Sequence, residues 1–501
     1  MPTHVQDDLF RLVKGLSTAE KGYVRRYWSR YSDESDQAYV ELFDILNDME
    51  VFEPATYRHK VQAHTWSRRA AAVKAYCMTR LLEALRSFHA STTPFRVLEE
   101  SLLDVEILFD HGLRDEAAKR AEKVRKTATD LEAFLPLLRA LAWLKRYRQL
   151  VQNEYETNEA NDDLSKEQHR VLDVYRNSIA YEEFGNEMHM HILRASTGNK
   201  TSVQWLDNVL TSPLFTAPDQ ALSLSARFNY HLIRCNWFRM HRSDAVAALQ
   251  EAATMNNMRR DYPAYFAARP DMSETSHYTF LFCLLEAGVM DTFTSEAESF
   301  YSWRKGAKAE RDVRLASRSW LLEANYALYS KHYERLMEFE PAMQYFYEHQ
   351  GDEIPPQYKV VVVFVMIRAS YESNAAKRSS FWMQQMIQLD DDVRPDLHAA
   401  SMLIELMVAV DRNDMTHVRS RTRSLDRYAK KYLGSPPYLT KVLSYFRRLP
   451  DASPSKARQL GIETVTSLGS ESTSHAFDPV RASGIIAWFR NRYSSGEKRS
   501  P

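Results

Sequence analysis

Four basic side chains near the end of the chain have the spacing of one helix face. They are 4, 4 and 3 residues apart and are Arg419, Arg423, Arg427 and Lys430. Residues at such intervals lie on the same side of an α-helix, and a row of cations binds phosphates or carboxylates. The stripe therefore predicts a site for nucleic acid or another polyanion. The alternative is a solvated face paired with acidic groups of the adjacent helix. This alternative is favoured because no RNA- or DNA-reading motif accompanies the stripe.

The helix that carries this basic stripe is predicted over Met415–Leu433. Its apolar side consists of Val418, Leu425, Tyr428 and Tyr432. The surrounding region is basic as a whole, since residues 412–501 hold 17 Lys and Arg against 7 Asp and Glu, a formal charge of +10. Because the whole chain has a net charge of zero, residues 1–411 carry −10. The asymmetry indicates that acidic partners would be attracted to the C-terminal fifth.

Motifs for catalysis or metal binding are absent from the sequence. There is no P-loop, GxGxxG, GxSxG or HExxH, and the three cysteines form no CxxC pair. His189 and His191 point to opposite sides of a helix, whereas Glu187 and His191 are one turn apart and could share an ion. We interpret them as partly exposed surface groups. The sequence therefore predicts no catalytic residues, no metal and no cofactor.

Composition indicates that helices must position any functional residue. Only 13 of the 501 residues are glycine, about 2.6% against a usual ~7%, and tight hairpins and phosphate-binding loops depend on glycine. The chain begins without a signal-peptide pattern, and no apolar run approaches the ~20 residues of a transmembrane helix. We therefore expect an all-α, soluble, cytoplasmic protein without a membrane partner.

One stretch shows the unit from which the chain is built. Phe95–Thr127 predicts a helix, a tight turn at His111-Gly112-Leu113 and a second helix packed on the first. In tetratricopeptide repeats a small residue lies five positions after the turn glycine, where the helices approach closely, and Ala117 has that offset. Further hairpins are predicted at Met240 with Ala245, at Gly288 before Phe293–Tyr301, and at Tyr333 with Leu336.

Less regular helices are predicted between and after these hairpins. Their predicted ranges are Leu131–Val151, Leu164–Leu193, Val203–Leu210, Gln357–Tyr371, Ala375–Leu389 and Leu397–Arg412. Val360–Ile367 is rich in β-branched residues and has the propensity of a strand. No neighbouring strand candidate exists to pair with it, so we predict a buried helix. Ser453–Lys456 and Leu468–His475 are turn-rich or linker-like.

The first ninety residues predict a module of three helices. Ser17-x-x-Glu20 is a capping box that opens the first, the second covers about Asp36–Met49, and the third runs from about Trp66 to His89. Three segments stand out by their order along the chain. They are LSTAEKGYVRRYWSRY, YVELFDIL and AAAVKAYCMTRLLEALRSF.

These segments resemble the amino-terminal signature of a family of uncharacterised bacterial helical-repeat proteins. Cys77 stands where the family usually has leucine, and Gly22 where a basic residue is common. The carboxyl end, FDPVRASGIIAWFRNRY, is similar to the family's closing helix at Phe477, Asp478 and Trp488. The matching amino-terminal positions are Ser17, Glu20, Lys21, Tyr23, Leu42, Phe43, Asp44, Lys74, Tyr76, Leu82, Leu85, Arg86 and Phe88. The resemblance implies a tetratricopeptide-like array without known catalytic residues.

The predicted fold class is all-α, with tetratricopeptide-like hairpins forming a curved α-solenoid that starts with the three-helix module. The predicted domains are residues 1–90, the repeat array 91–467, and 468–501 with a linker, a capping helix around Val480–Tyr493 and a disordered tail. The predicted function is a non-enzymatic interaction scaffold that binds a peptide or protein in a groove. The alternative is a regulatory protein that binds nucleic acid or another polyanion through the basic C-terminal region. Candidate groove residues are Asn229, Arg234, Asn236, Arg314 and Asn325.

Overall fold

Helices account for all the regular structure that the computed structural model describes. The described residues are 7–31, 37–151, 154–196, 199–301, 313–350, 354–374, 376–469 and 478–493. They contain 25 α-helices, short 3₁₀ turns and one π-helical turn, and no β-strand. The prediction of an all-α protein is confirmed. None of the described helices is both long and apolar enough to cross a membrane.

The chain divides into two units, residues 1–171 and residues 172–501. The boundary falls inside the longest helix. The first unit begins with five short to medium helices, which are α1 (Asp8–Gly15), α2 (Thr18–Tyr31), α3 (Ala38–Asp48), α4 (Pro54–Gln62) and α5 (Ala70–His89). Their shared core includes the fully buried rings of Trp28, Tyr39 and Phe43.

The predicted number of three helices in this region is wrong. Helices α1 and α4 were not predicted, because with 8 and 9 residues they are shorter than the window in which helical periodicity is recognisable. The third predicted helix begins at Ala70 and not at Trp66, since Ser67–Arg69 form a 3₁₀ turn. The capping box is confirmed: the Glu20 amide donates to Ser17 Oγ over 3.2 Å, and the Ser17 amide donates to Glu20 Oε2 over 2.7 Å.

The hairpin centred on Gly112 is confirmed. It consists of α6 (Pro94–Asp110) and α7 (Arg114–Asp130), and α8 (Phe134–Val151) packs against both. Gly112 has a φ of +77°, a conformation that side chains with a Cβ rarely adopt. Ala117 is fully buried between the helices. The small residue five positions after the turn therefore lies at the close approach that the repeat pattern predicts.

The remaining helices run from α9 to the end of the chain. They are α9 (Glu154–Ser196), α10 (Lys200–Asp207), α11 (Leu224–Trp237), α12 (Ala245–Asp261), α13 (Pro263–Ala267), α14 (Pro270–Glu286), α15 (Met290–Tyr301), α16 (Val313–Ser330), α17 (Tyr333–Gln350), α18 (Pro356–Glu372), α19 (Ala376–Ile387), α20 (Pro395–Asp411), α21 (Met415–Tyr432), α22 (Pro437–Arg448), α23 (Pro454–Gly469), α24 (Pro479–Ser483) and α25 (Ile485–Tyr493). Val360–Ile367 lies inside α18, so the prediction of a helix there is confirmed.

Successive hairpins of the second unit follow one contact pattern. Helix α14 contacts α16, α16 contacts α18, and α18 contacts α20. Each of these four helices also contacts the helix that follows it in the chain. The turns share a backbone feature as well. A residue with positive φ is followed five positions later by a residue that is at most 5% exposed. The pairs, which include two from the first unit, are Gly112/Ala117, Glu132/Leu137, Ser243/Ala248, Gly288/Phe293, Lys331/Leu336, Asn374/Ser379 and Asn413/Val418.

This pattern corrects the second predicted hairpin. Met240 was predicted at the turn, with Ala245 as the small residue. Met240 lies instead in a π-helical turn, Phe238–Arg242, that prolongs α11. Ser243 takes the left-handed conformation with φ +55°, and Ala248 is the buried small residue. The prediction was three residues early because a serine here occupies the position that glycine usually marks.

The C-terminal region differs from the prediction in three places. The single capping helix is wrong, because Gly484, with φ +75°, divides it into α24 and α25. Helix α22 was not predicted, and the predicted turn at Ser453–Lys456 is the beginning of α23. Of the predicted linker, residues 468 and 469 belong to α23, while residues 470–475, Phe477 and the tail 494–501 lie outside the described residues.

Candidate functional site

Helix α21 carries the basic stripe on one side and packs through the other. Val418, Thr422, Leu425 and Ala429 are fully buried, whereas Tyr428 is half-buried. The predicted helix is therefore confirmed to within one residue at its end. Asp414 caps it, since the carboxylate accepts a hydrogen bond of 2.9 Å from the His417 amide. The exposed surface of α21 is divided between two concave regions.

The first region, which we call the α21–α22 groove, contains three of the four predicted stripe residues. It has a volume of about 1280 Å³. Its lining residues are Met415, Thr416, Arg419, Ser420, Thr422, Arg423, Ser424, Asp426, Arg427, Phe446, Arg447 and Asp451. Four arginines therefore face two aspartates. Lys430 is not among the lining residues.

The stripe is only partly neutralised. Arg419 forms an ion pair with Asp451, and Asp426 accepts from Lys430 Nζ at 2.9 Å and from Arg447 Nη2 at 2.6 Å. Arg423 and Arg427 are exposed and make no hydrogen bond or ion pair within the part of the chain that the structure describes. The interpretation of a paired, solvated face thus fits half of the stripe. Two adjacent arginines are left with free guanidinium groups.

The second region lies on the other side of α21, between α19 and α21 and over α20. We call it the α19–α21 cleft. It consists of two cavities of about 420 and 310 Å³ that share Met383 and Glu405. The further lining residues are Ser370, Tyr371, Asn374, Ser379, Ser380, Met386, Ile387, Asp391, His398, Ser401, Met402, Val408, Ala409, Asp411, Arg412, Asp414, His417, Arg421, Ser424 and Tyr428.

Glu405 stands at the junction of the two cavities. Its carboxylate forms an ion pair with Arg421 and lies 2.9 Å from His417 Nε2. The side chains of Glu405 and Arg421 are 23% and 25% exposed, respectively. Both partners of Glu405 belong to α21, so this carboxylate joins α20 to α21 in the middle of the cleft.

A buried histidine lines the smaller cavity. His398 is 5% exposed, and its Nε2 has no hydrogen-bond partner among the described residues. Burial lowers the pKa of His398 below its ordinary value, although Asp391 and Asp396 act in the opposite direction. The imidazole is therefore neutral at pH 7. Nearby, the Tyr428 hydroxyl donates to the Asp391 carbonyl oxygen over 2.6 Å, and burial raises the pKa of Tyr428.

The apolar part of the cleft is rich in methionine. Met383, Met386 and Met402 line it, and Ile387 at its edge is 72% exposed. Thioether side chains are flexible and polarizable, so they adapt to ligands of different shape. An apolar floor around a few fixed polar groups is the usual composition of a ligand-binding surface.

The predicted groove residues lie elsewhere. Arg234 Nε donates to Glu251 Oε1 over 2.6 Å, and Asn325 is buried, with its amide donating to the Leu321 carbonyl over 2.8 Å. Asn229 and Asn236 are half-buried on α11, and the side chain of Arg314 lies outside the described residues. None of these four described side chains lines the cleft or the α21–α22 groove.

The cleft residues were not predicted from the sequence. Met383, His398, Glu405 and Arg421 come from three helices, and nothing in their spacing along the chain connects them. The available signal was the alternation of Arg419, Arg421 and Arg423. Because residues two positions apart on a helix lie on opposite sides, Arg421 had to face away from the stripe.

Of the two histidines of α9, His191 is part of the packing, whereas His189 is exposed. His191 stacks on Trp205 with ring centroids 4.2 Å apart, and its Nδ1 lies 3.1 Å from Ser202 Oγ. Its Nε2 lies 3.8 Å from Glu187 Oε1. Among the described residues no group of three or more His, Cys, Asp and Glu side chains is arranged to hold a metal ion.

No model of a known protein family matches the chain, and no curated protein or solved structure is significantly similar to it. The resemblance of the two chain ends to a bacterial helical-repeat family stays a prediction.

Proposed function

We propose that this protein is a non-enzymatic interaction scaffold that binds a peptide segment of a protein partner in the α19–α21 cleft. The observation that carries the proposal is the composition of the cleft, which is lined by Met383, Met386, Met402 and Ile387 together with the carboxylate of Glu405. Apolar side chains of a peptide bury their surface against the methionines, while its polar groups meet the charged centre.

The shape of the cleft favours an elongated chain segment. Its two cavities are of about 420 and 310 Å³, each within or near the range of one ligand pocket. They meet at one carboxylate, so an occupant that fills both must be elongated. Asp391, Asp411 and Asp414 also line this path. Asp411 is ion-paired with Arg492 and Asp414 caps α21, so it is Asp391 that favours a segment with Lys or Arg beside its apolar residues.

The scaffold itself is proposed to be a tetratricopeptide-like α-solenoid. Two features support this architecture: the contact series from α14 to α20 and the positive-φ residue placed five positions before a buried one. In such arrays each hairpin buries its apolar face against its neighbours and leaves grooves along the stack. A cytoplasmic location and a bacterial source remain proposals of the same kind.

Peptide selection on the full-length protein tests the proposal. A random peptide library is enriched against the wild type, and the binding of selected peptides is measured to Ile387→Asp and to Val246→Asp. The two side chains are matched, being exposed apolar residues on α19 and α12 at 72% and 65%. We expect Ile387→Asp to weaken binding at least about tenfold, the factor that ~1.4 kcal/mol represents, and Val246→Asp to leave it unchanged.

Two results overturn the proposal. Equal loss of binding in both variants places the peptides away from the cleft, and a selection that enriches no saturable ligand argues against a peptide-binding scaffold. A photo-crosslinking residue at position 387 gives an independent readout, because a bound peptide must be labelled there and remain unlabelled by the same residue at position 246.

The alternative function, a regulatory protein that binds nucleic acid or another polyanion, concerns the other side of α21. It requires an affinity that falls steeply with salt and is lost when Arg419, Arg423 and Arg427 become glutamate. Peptide binding in the cleft is expected to be insensitive to that triple change. The two functions are therefore separable in one protein.

A further inference from the structure

The α21–α22 groove carries an inference that does not depend on the cleft. We propose that it is a second binding site, and that its ligand is a phosphorylated serine or threonine in a segment of a partner protein. The phosphate would lie between Arg423 and Arg427, the two stripe residues without a partner in the described chain.

The first support is the geometry of the two arginines. They are four residues apart on α21, a rise of about 6 Å along the helix axis, and both side chains are exposed on the same face. Guanidinium groups at that separation approach one phosphate from two sides and donate in pairs to its oxygens. Thr416 and Ser420 add exposed hydroxyls to the groove wall, which supply further donors.

The second support is the pattern of charges around the pair. Asp451 holds Arg419 toward the beginning of the stripe, and Asp426 holds Arg447 and Lys430. The three neighbouring cations share two carboxylates, so two of the three excess positive charges belong to the free arginines. A phosphate monoester presents −1.5 to −2 charges at one point and fits this distribution. A long polyanion would bring its other charges against the two aspartates.

The third support is the absence of an exposed ring among the lining residues. Among the described residues that line the groove, Phe446 is the only aromatic one, and it is fully buried. Proteins that hold single-stranded nucleic acid combine basic grooves with exposed aromatic side chains on which bases stack. Tight electrostatic binding of nucleic acid also needs more phosphate contacts than two free arginines provide. The groove thus favours a phosphoprotein segment over RNA or DNA.

The test uses a short fluorescent Gly-Ala peptide with one central phosphoserine, titrated into the full-length protein. Its serine counterpart and an oligouridine of the same length are titrated in parallel. We expect the phosphoserine peptide to bind at least about tenfold more tightly than the serine peptide, a difference of ~1.4 kcal/mol. We also expect it to bind more tightly than the oligouridine.

The variant Arg423→Glu with Arg427→Glu is expected to abolish the preference for phosphoserine. The matched control is Lys119→Glu with Lys123→Glu, which changes the charge by the same amount on an exposed face of α7 with the same spacing. Arg423→Gln with Arg427→Gln removes the cations without adding repulsion, and we expect it to lose the preference as well. Thermal denaturation of each variant verifies that α21 remains folded.

Three outcomes would overturn the inference. They are equal affinity for the phosphoserine and serine peptides, tighter binding of the oligouridine, and an equal loss in the Lys119 and Lys123 control. Because none of these probes fills the methionine-rich cleft, failure here leaves the cleft proposal intact. The converse holds too, since Ile387→Asp is expected to leave phosphoserine binding unchanged.

Discussion

Two arginines that are only two positions apart on α21 have opposite environments. Arg421 faces α20, is three-quarters buried and is held by Glu405, whereas Arg423 faces the α21–α22 groove, is exposed and has no partner in the described chain. The same type of side chain thus joins two helices on one side of α21 and is exposed without a partner in the described chain on the other. The difference teaches that burial and the presence of a partner, and not residue type, decide what a charged side chain contributes to stability.

The cleft side should be the sensitive one, and Glu405→Ala gives the largest expected effect. Removing this carboxylate leaves Arg421 without its partner while it stays largely buried. We expect the free energy of local unfolding of α20 and α21 to fall by about 1–3 kcal/mol. Hydrogen exchange of the amides in these two helices measures it. If Glu405→Ala lowers the free energy of unfolding no more than Asp426→Ala does, the two sides of α21 do not differ in the way proposed.

The cleft side should also respond to pH, through His398. Burial lowers its pKa below the value in the unfolded chain, about 6.5, so the unfolded state takes up a proton that the folded state does not. The stability contribution is therefore complete above pH ~6.5 and falls as the pH drops below it, by at most about 1.4 kcal/mol per pH unit.

The variant His398→Gln cannot take up this proton and should lose that part of the pH dependence. Hydrogen exchange of the α20 amides, measured at one pH above and one pH below ~6.5, gives the pH dependence of local stability in the variant and in the wild type. A variant whose stability falls with pH as much as that of the wild type would show that another group is responsible.

The smallest effect on stability is expected for Asp426→Ala in the α21–α22 groove. Its partners Arg447 and Lys430 are 46% and 66% exposed, so water replaces the lost carboxylate. We expect a loss below about 1 kcal/mol that disappears in concentrated salt. Freed arginine in the groove should strengthen binding of the phosphoserine peptide by about threefold, which corresponds to ~0.6 kcal/mol. Weaker binding in this variant would contradict the phosphate site.

The elements that the sequence predicted well are those with a long local signal. The turn at Gly112 and the helices α18, α20 and α21 follow from periodicity and turn residues alone, and they lie within a few residues of the predicted ranges. The failures are also local in origin. Helix α22, which was not predicted, has a helical apolar pattern at Leu439, Val442, Leu443 and Phe446, all of them buried.

By itself the sequence determined that the chain is helical, that hairpins turn at Gly112 and Gly288, and which face of α21 bears the arginines. These are properties of neighbouring residues, because a helix places side chains every 3.6 positions whatever surrounds it. Only the tertiary structure decided which charged side chains form ion pairs and which have no partner in the described chain. Asp451 reaches Arg419, Glu405 reaches Arg421, and nothing in the described chain reaches Arg423. Ion pairs between helices depend on distances of a few ångströms between side chains of packed helices. The spacing of residues along the chain does not determine these distances.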